Sequence, residues 1–166
     1  MRVGAQDGES IFRRVAVGCD HGGYSLKETV REELELLGVE VTDFGTDSEE
    51  SVDYPRFALA VAEAVSRGDC DAGVLLCGTG IGMAIAANKV PGVRAALCGC
   101  ACTAQLARAH NDANVLTLGA RTTGSAMAAR AVRVFCTTPF DGGRHARRVR
   151  AIEEIESKYD PEGTER

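Results

Sequence analysis

Residues 73–89, GVLLCGTGIGMAIAANK, contain the strongest structural signal in the chain. The stretch begins with an uninterrupted apolar run over 73–77, which predicts a strand buried on both faces of a sheet. A glycine-rich turn over 77–82 follows, and an alanine-rich helix is predicted over 81–89. A buried strand that passes through such a turn directly into a helix is typical of α/β proteins with a parallel sheet.

The same alternation continues on both sides of this stretch. Apolar runs predict further strands over 14–18, 39–44, 93–97 and 114–118. Helical spacing of apolar residues predicts helices over 26–37, 57–65, 103–109 and 125–135, and a last helix that reaches Tyr159. Short strands that alternate with helices predict a three-layer α/β/α domain around a five-stranded parallel sheet.

Length and composition agree with one globular domain. The chain has 166 residues, of which 45% are hydrophobic and 26% charged. This usage excludes collagen-like, disordered and coiled-coil proteins. We expect a single domain over 13–159, preceded by a flexible extension (1–12) and followed by a disordered tail (160–166).

Charge and hydropathy exclude several classes of partner. The net charge of −5 argues against nucleic acid, because backbone binding requires a basic face. No run approaches the ~20 apolar residues of a membrane helix. The N-terminus lacks the apolar segment of a signal peptide, so a cytoplasmic protein is expected. The seven cysteines are then expected to be mostly reduced thiols.

Ligands of open parallel sheets bind beyond the carboxyl ends of the strands, so the loops there are the first candidates. The turn Cys77–Gly82 would direct several backbone N–H groups at one point, which suits an anion. Its glycine spacing does not fit the dinucleotide-binding pattern G-x-G-x-x-G. Cys77 is either a thiol made reactive by the adjacent helix N-terminus or a small apolar residue at the end of a strand.

Other polar clusters leave similar alternatives open. Asp20 and His21 are either ligand contacts or a helix cap and a solvated loop residue. A polar site is plausible at 110–112 (HND), although this cluster alone is not specific. The basic side chains suited to a phosphate are Arg121, Arg144 and Arg148, and acidic residues of the last helix are alternative partners of the latter two. The single-residue spacing of Cys98, Cys100 and Cys102 argues against zinc.

These motifs, taken in order, resemble the type B ribose-5-phosphate isomerase family, which includes galactose- and allose-6-phosphate isomerases. The resemblance runs from about residue 14 to 159 and rests on eight motifs. They are GCDHGG-x₃-K (18–27), D-x-G-T-x-S (43–48), DYP (53–55), CGTGIG (77–82), IAANK-x-PG-x-RA (85–95), AHN-x₂-NVL (109–116), LG-x-R (118–121) and GGRH-x₂-RV (142–149).

The resemblance implies a doubly wound, Rossmann-like sheet and a homodimer with two sites at the subunit interface. The sequence does not distinguish a dimer from a tetramer. It implies interconversion of ribose 5-phosphate and ribulose 5-phosphate through an enediolate, without a metal or organic cofactor. The implied catalytic residues are Cys77 as the base, Thr79 in proton transfer between O1 and O2, and His110 in ring opening. The implied substrate-binding residues are Asp20, His21, Gly78, Gly80, Gly82, Asn111, Arg121, Arg144 and Arg148.

Two alternative functions remain. A hexose 6-phosphate isomerase would use the same mechanism in a wider pocket, and the sequence does not show pocket width. A non-catalytic sugar-phosphate sensor would need the arginines but not the base, so the presence of Cys77, Thr79 and His110 argues against it.

Overall fold

The computed structural model describes residues 8–159. The five strands are β1 (Arg14–Cys19), β2 (Glu40–Asp43), β3 (Ala72–Cys77), β4 (Ala95–Leu97) and β5 (Val115–Gly119). The helices are α1 (Tyr24–Leu36), α2 (Tyr54–Ser66), α3 (Ile81–Ala87), α4 (Ala101–Asn111), α5 (Ser125–Thr137) and α6 (Arg144–Tyr159). The strands pair in parallel in the order β2-β1-β3-β5-β4, which confirms the predicted five-stranded parallel sheet.

Burial follows the order of the strands in the sheet. All residues of β3 and β5 are buried, and β1 is buried except at Arg14, because these three strands lie inside the sheet. The edge strands β2 and β4 are shorter, and none of their residues is fully buried. The uninterrupted apolar runs in the sequence therefore correspond to the central strands.

Helices cover both faces of the sheet, and this confirms the predicted three layers. One apolar cluster joins the sheet to α1, α4 and α5, with Leu34 and Phe135 fully buried within it. The other cluster joins the sheet to α2 and α3 and includes Val61 and Met83. The last helix, α6, contacts α4.

Most element boundaries differ from the predicted ones by one to three residues. β4 begins at Ala95 rather than at residue 93, because the Val93 amide donates instead to the Val90 carbonyl in a preceding turn. α4 extends to Asn111, so residues 110 and 111 belong to its last turn rather than to a loop. α6 begins at Arg144, earlier than its apolar spacing indicated.

The described part of the predicted N-terminal extension runs beside α5. The Ile11 amide donates to the Cys136 carbonyl at 2.8 Å, and the Phe12 ring lies 5.9 Å from that of Phe135. Residues 1–7 and the predicted tail over 160–166 lie outside the described residues. No helix within 8–159 is both long and apolar enough to cross a membrane.

Candidate active site

The thiol of Cys77 lies at the carboxyl end of the sheet, where β3 passes into the glycine-rich turn. Cys77 is buried, and its Sγ accepts a hydrogen bond from the backbone amide of Gly80 at 3.0 Å. Gly80 has a φ of 78°, a backbone conformation that residues other than glycine rarely adopt. A Cβ on Gly80 would also lie 2.5 Å from Leu97 Cδ1, so neighbouring atoms leave no room for a side chain.

The loop after β1 packs directly against this turn. Asp20 is buried, and its Oδ1 accepts a hydrogen bond from the Gly23 amide at 2.9 Å. A Cβ on Gly23 would overlap the Leu76 carbonyl, so glycine is required for this close approach. His21 Nδ1 accepts a hydrogen bond from the Val52 amide at 3.2 Å, which leaves Nε2 as the ring nitrogen free to donate to a ligand.

Arg121 closes the same cluster from the end of β5. Its amide donates to the Gly78 carbonyl at 2.9 Å, and a Cβ on Gly78 would lie 3.2 Å from the Arg121 guanidinium. Thr79 is exposed, and its hydroxyl accepts a weak hydrogen bond from the Ile81 amide at 3.4 Å. We call this cluster the carboxyl-end group; its members are Asp20, His21, Cys77, Gly78, Thr79, Gly80, Gly82 and Arg121.

The remaining predicted site residues gather where α4 ends and α6 begins. His110 stacks on His145, with ring centroids 4.2 Å apart and planes 3° from parallel. His110 Nε2 lies 4.0 Å from Asp141 Oδ2. The predicted members are His110, Asn111, Arg144 and Arg148, and we call them the amino-end group.

The surroundings of His145 favour its uncharged form. Burial lowers its pKa from the ordinary 6.5, and the neighbouring His110, Arg144 and Arg148 lower it further. Arg144 Nε also donates toward His145 Nε2 at 3.4 Å. A neutral ring in this position supports the stacked His110 without adding another positive charge.

Two of the three predicted alternative partners of the two arginines, Glu153 and Glu156, are occupied elsewhere. Glu153 pairs with Arg94 at 3.5 Å, and the Glu156 carboxylate accepts the Gly92 amide at 2.9 Å. Arg144 and Arg148 are both exposed. Their guanidinium groups are therefore accessible to an anionic ligand.

The two groups lie at opposite ends of the sheet. Cys77 pairs with Gly119 at the carboxyl end of β5, whereas α4 ends just before the amino end of that strand. The amide of Asp141 donates to the Ala109 carbonyl, which fixes the start of α6 to the same amino end. At roughly 3.3 Å per residue, the length of β5 alone separates the groups by more than about 13 Å.

Three neighbours of the site were not assigned a role from the sequence. The Tyr54 ring packs on Gly82, close enough that a Cβ there would lie 2.6 Å from its Cζ. His145 and Asp141 adjoin His110. Tyr54 belongs to the DYP motif and His145 to the GGRH motif, so the sequence carried a signal for these two residues but not for Asp141. Within the described residues, one group of at least three His, Cys, Asp or Glu side chains has its potential metal-ligand atoms within 4.8 Å of one another. It consists of His110, Asp141 and His145.

Comparison with known proteins identifies the family. The model of a family described as Ribose/Galactose Isomerase matches residues 15–152. The chain belongs to the ribose/galactose isomerase family. It is therefore an isomerase acting on sugars, as the sequence motifs predicted.

Individual relatives agree with the family assignment. The chain is 47% identical over 147 residues to ribose-5-phosphate isomerase B of Escherichia coli, covering 89% of this chain and 99% of the relative. It is 42% identical over 139 residues to D-erythrulose-4-phosphate isomerase of Pectobacterium atrosepticum, covering 83% and 91%. The solved ribose-5-phosphate isomerase B of Clostridium thermocellum matches with a TM-score of 0.86 and 53% identity, covering 88% of this chain and 99% of that one.

Proposed function

We propose that this chain interconverts D-ribose 5-phosphate and D-ribulose 5-phosphate in an active site assembled from two copies of the chain. The observation that carries the proposal is the separation of the carboxyl-end and amino-end groups. Each group holds half of the chemistry that the reaction needs, and one chain cannot bring the halves together. A second copy related by a two-fold axis supplies each missing half, which gives two equivalent sites per dimer.

The carboxyl-end group carries the proton transfer at carbon. An aldose-to-ketose isomerisation removes a proton next to a carbonyl and forms an enediolate. Cys77 is the proposed base, and Thr79 assists proton transfer between the two substrate oxygens. The backbone amides of the glycine-rich turn stabilise the negative charge that develops on oxygen.

The amino-end group of the second copy performs ring opening and phosphate binding. His110 transfers protons at the closed furanose ring, a task suited to an imidazole near neutral pH. Asn111 contacts the enediolate, and Arg144 and Arg148 bind the phosphate opposite Arg121 of the first copy. Binding energy from the phosphate positions the reacting carbons against Cys77.

Exposed apolar side chains beside the glycine-rich turn suit contact with a second copy. Ile81 and Ile85 of α3 are 52% and 59% exposed, and Leu97 of β4 is 45% exposed. Contiguous exposed apolar residues next to an incomplete site are typical of an interface. We therefore place the dimer contact along α3 and the edge strand β4.

The substrate is tested by measuring ketose formation from ribose 5-phosphate in EDTA. Allose 6-phosphate and galactose 6-phosphate are assayed alongside it, and aldose formation from erythrulose 4-phosphate covers the activity named in the Pectobacterium relative. We expect the pentose phosphate to have the highest kcat/KM. Preference for a hexose or tetrose phosphate would contradict the proposed substrate, and binding without turnover of any sugar would favour a sensor.

A further inference from the structure

Two cysteines with different environments flank Gly99 between β4 and α4. Cys98 is buried, whereas Cys100 is partly exposed and immediately precedes α4. Cys100 Sγ lies 3.6 Å from Thr103 Oγ1, and Cys98 Sγ donates to the Ala96 carbonyl at 3.7 Å. The two cysteines are separated by a single glycine and lie outside both groups of the proposed active site.

The two thiols differ in how readily they ionise. Hydrogen bonds from the backbone amide and side chain of Thr103 lower the pKa of Cys100 below the ordinary 9.0. Burial raises the pKa of Cys98 to about 11. Cys100 is therefore the thiol that reacts first with an electrophile, since the thiolate is the nucleophilic form.

The backbone between the two cysteines is bent and has open space beside it. The chain bends at residues 99 and 100, and nothing lies within 4 Å of a Cβ placed on Gly99. A disulfide needs Cα atoms about 4.4–6.8 Å apart, which a bent three-residue segment can reach. Glycine is also the residue that most easily adopts the dihedral angles of such a small ring.

We propose that Cys98-Gly99-Cys100 is a dithiol that hydrogen peroxide converts to an intramolecular disulfide. The Cys100 thiolate attacks a peroxide oxygen, the O–O bond breaks, and hydroxide leaves as Cys100 becomes a sulfenic acid. The Cys98 sulfur then attacks the Cys100 sulfur, the S–O bond breaks, and the thiol proton leaves with the hydroxyl group as water. Two thiols are oxidised by two electrons, and one peroxide is reduced to two waters.

Peptide mass spectrometry tests this proposal directly on the full-length protein. Trypsin releases residues 95–108 as one peptide that contains Cys98, Cys100 and Cys102, whereas Cys70 and Cys77 lie in another peptide. After brief peroxide treatment and labelling with N-ethylmaleimide, we expect this peptide to carry one label, on Cys102. After the mass of the labels is subtracted, the oxidised peptide should be lighter by two hydrogen atoms than the same peptide from the reduced control, which carries three labels.

Single substitutions identify the pair and the reacting thiol. We expect Cys102→Ser to keep the disulfide and both Cys98→Ser and Cys100→Ser to lose it. In peroxide-treated Cys98→Ser, dimedone should label Cys100 about tenfold more than Cys102, because dimedone traps the sulfenic acid. Three intact thiols after treatment, a disulfide that survives Cys98→Ser, or equal dimedone labelling would overturn the proposal.

Discussion

The position of Cys77 distinguishes its thiol from those of the six other cysteines. It ends the central strand β3, and the Gly80 amide points at its sulfur from the turn that opens α3. Cys19, Cys98 and Cys136 are also buried, and burial raises their pKa values to about 11, 11 and 12. Three of the seven thiols are therefore poorly suited to act as a base near neutral pH.

Replacement of Cys77 tests its assignment as the base. We expect Cys77→Ala to reduce kcat by about three orders of magnitude while sugar-phosphate binding persists, because positioned acid–base groups contribute on this scale. The measurement is steady-state turnover of ribose 5-phosphate together with a binding titration. Cys102→Ala, at an exposed position outside the site, is the matched control and should retain wild-type turnover. Near-normal turnover by Cys77→Ala would remove Cys77 from the role.

His145 makes the stability of the chain sensitive to acid. The folded protein holds the pKa of His145 below the ordinary 6.5, so the unfolded chain binds a proton more readily below that pH. The free energy of unfolding therefore decreases as the pH falls below about 6.5. The contribution of His145 to this free energy is fully lost once the pH is below the pKa of the folded state. We expect His145→Phe, which keeps a stacking ring, to lose less urea resistance between pH 7 and pH 5 than the wild type. An equal loss in both proteins would contradict this assignment.

At the scale of the elements, the turn between β3 and α3 depends on glycine at residue 80. A side chain there meets both an unfavourable positive φ and the Leu97 side chain. We expect Gly80→Ala to lower stability by about 1–2 kcal/mol, the approximate strain of the left-handed conformation, and to reduce activity because the Cys77 contact is disturbed. Gly99→Ala is the matched control, since it has open space and an ordinary φ. Equal effects of the two substitutions on stability would contradict the argument.

Lys27 ties α1 to the loop after β2. Its Nζ contacts Asp43 Oδ2 at 2.8 Å, Asp47 Oδ1 at 3.0 Å and the Thr46 carbonyl at 2.8 Å. The Lys27 side chain is 8% exposed, although Asp47 is 96% exposed and solvent weakens that pair. We expect Lys27→Met to lower the free energy of unfolding by about 1–3 kcal/mol in a urea titration, because a charged hydrogen-bond donor is lost.

The control for Lys27 is a lysine on the surface. Lys89 is exposed, and its side chain forms no ion pair within residues 8–159. We expect Lys89→Met to change the urea midpoint little. If both lysine substitutions had the same effect, the contacts of Lys27 would not explain its contribution.

The sequence predicted the elements better than their ends. Five apolar runs predicted the strands, and the uninterrupted runs of the three central strands reflect burial on both faces of the sheet. The end of α4 was missed because His110 and Asn111 carry polar side chains that extend no apolar stripe. The start of α6 was missed for a similar reason, since Arg144 and Arg148 precede most of its apolar positions.

At the scale of the whole molecule, the motifs predicted the candidate site residues but not their division into two groups. The order β2-β1-β3-β5-β4 is a property of the sheet that no single segment encodes. α4 runs from the carboxyl end of β4 to the amino end of β5, and this course takes His110 away from Cys77. The separation therefore becomes visible when the helices and strands are assembled.

Mixed dimers test directly whether two copies form one active site. We expect Cys77→Ala and His110→Asn chains to form mixed dimers when they are co-expressed with different affinity tags and purified on both tags in turn. Each mixed dimer should have one intact site and one site that lacks both Cys77 and His110. We expect about half of the wild-type turnover per mixed dimer, although dimers of either variant alone turn over ribose 5-phosphate far more slowly than the wild type. Dimers of two differently tagged Cys77→Ala chains are the control and should remain inactive. Mixed dimers without recovered activity would contradict a site shared between two copies.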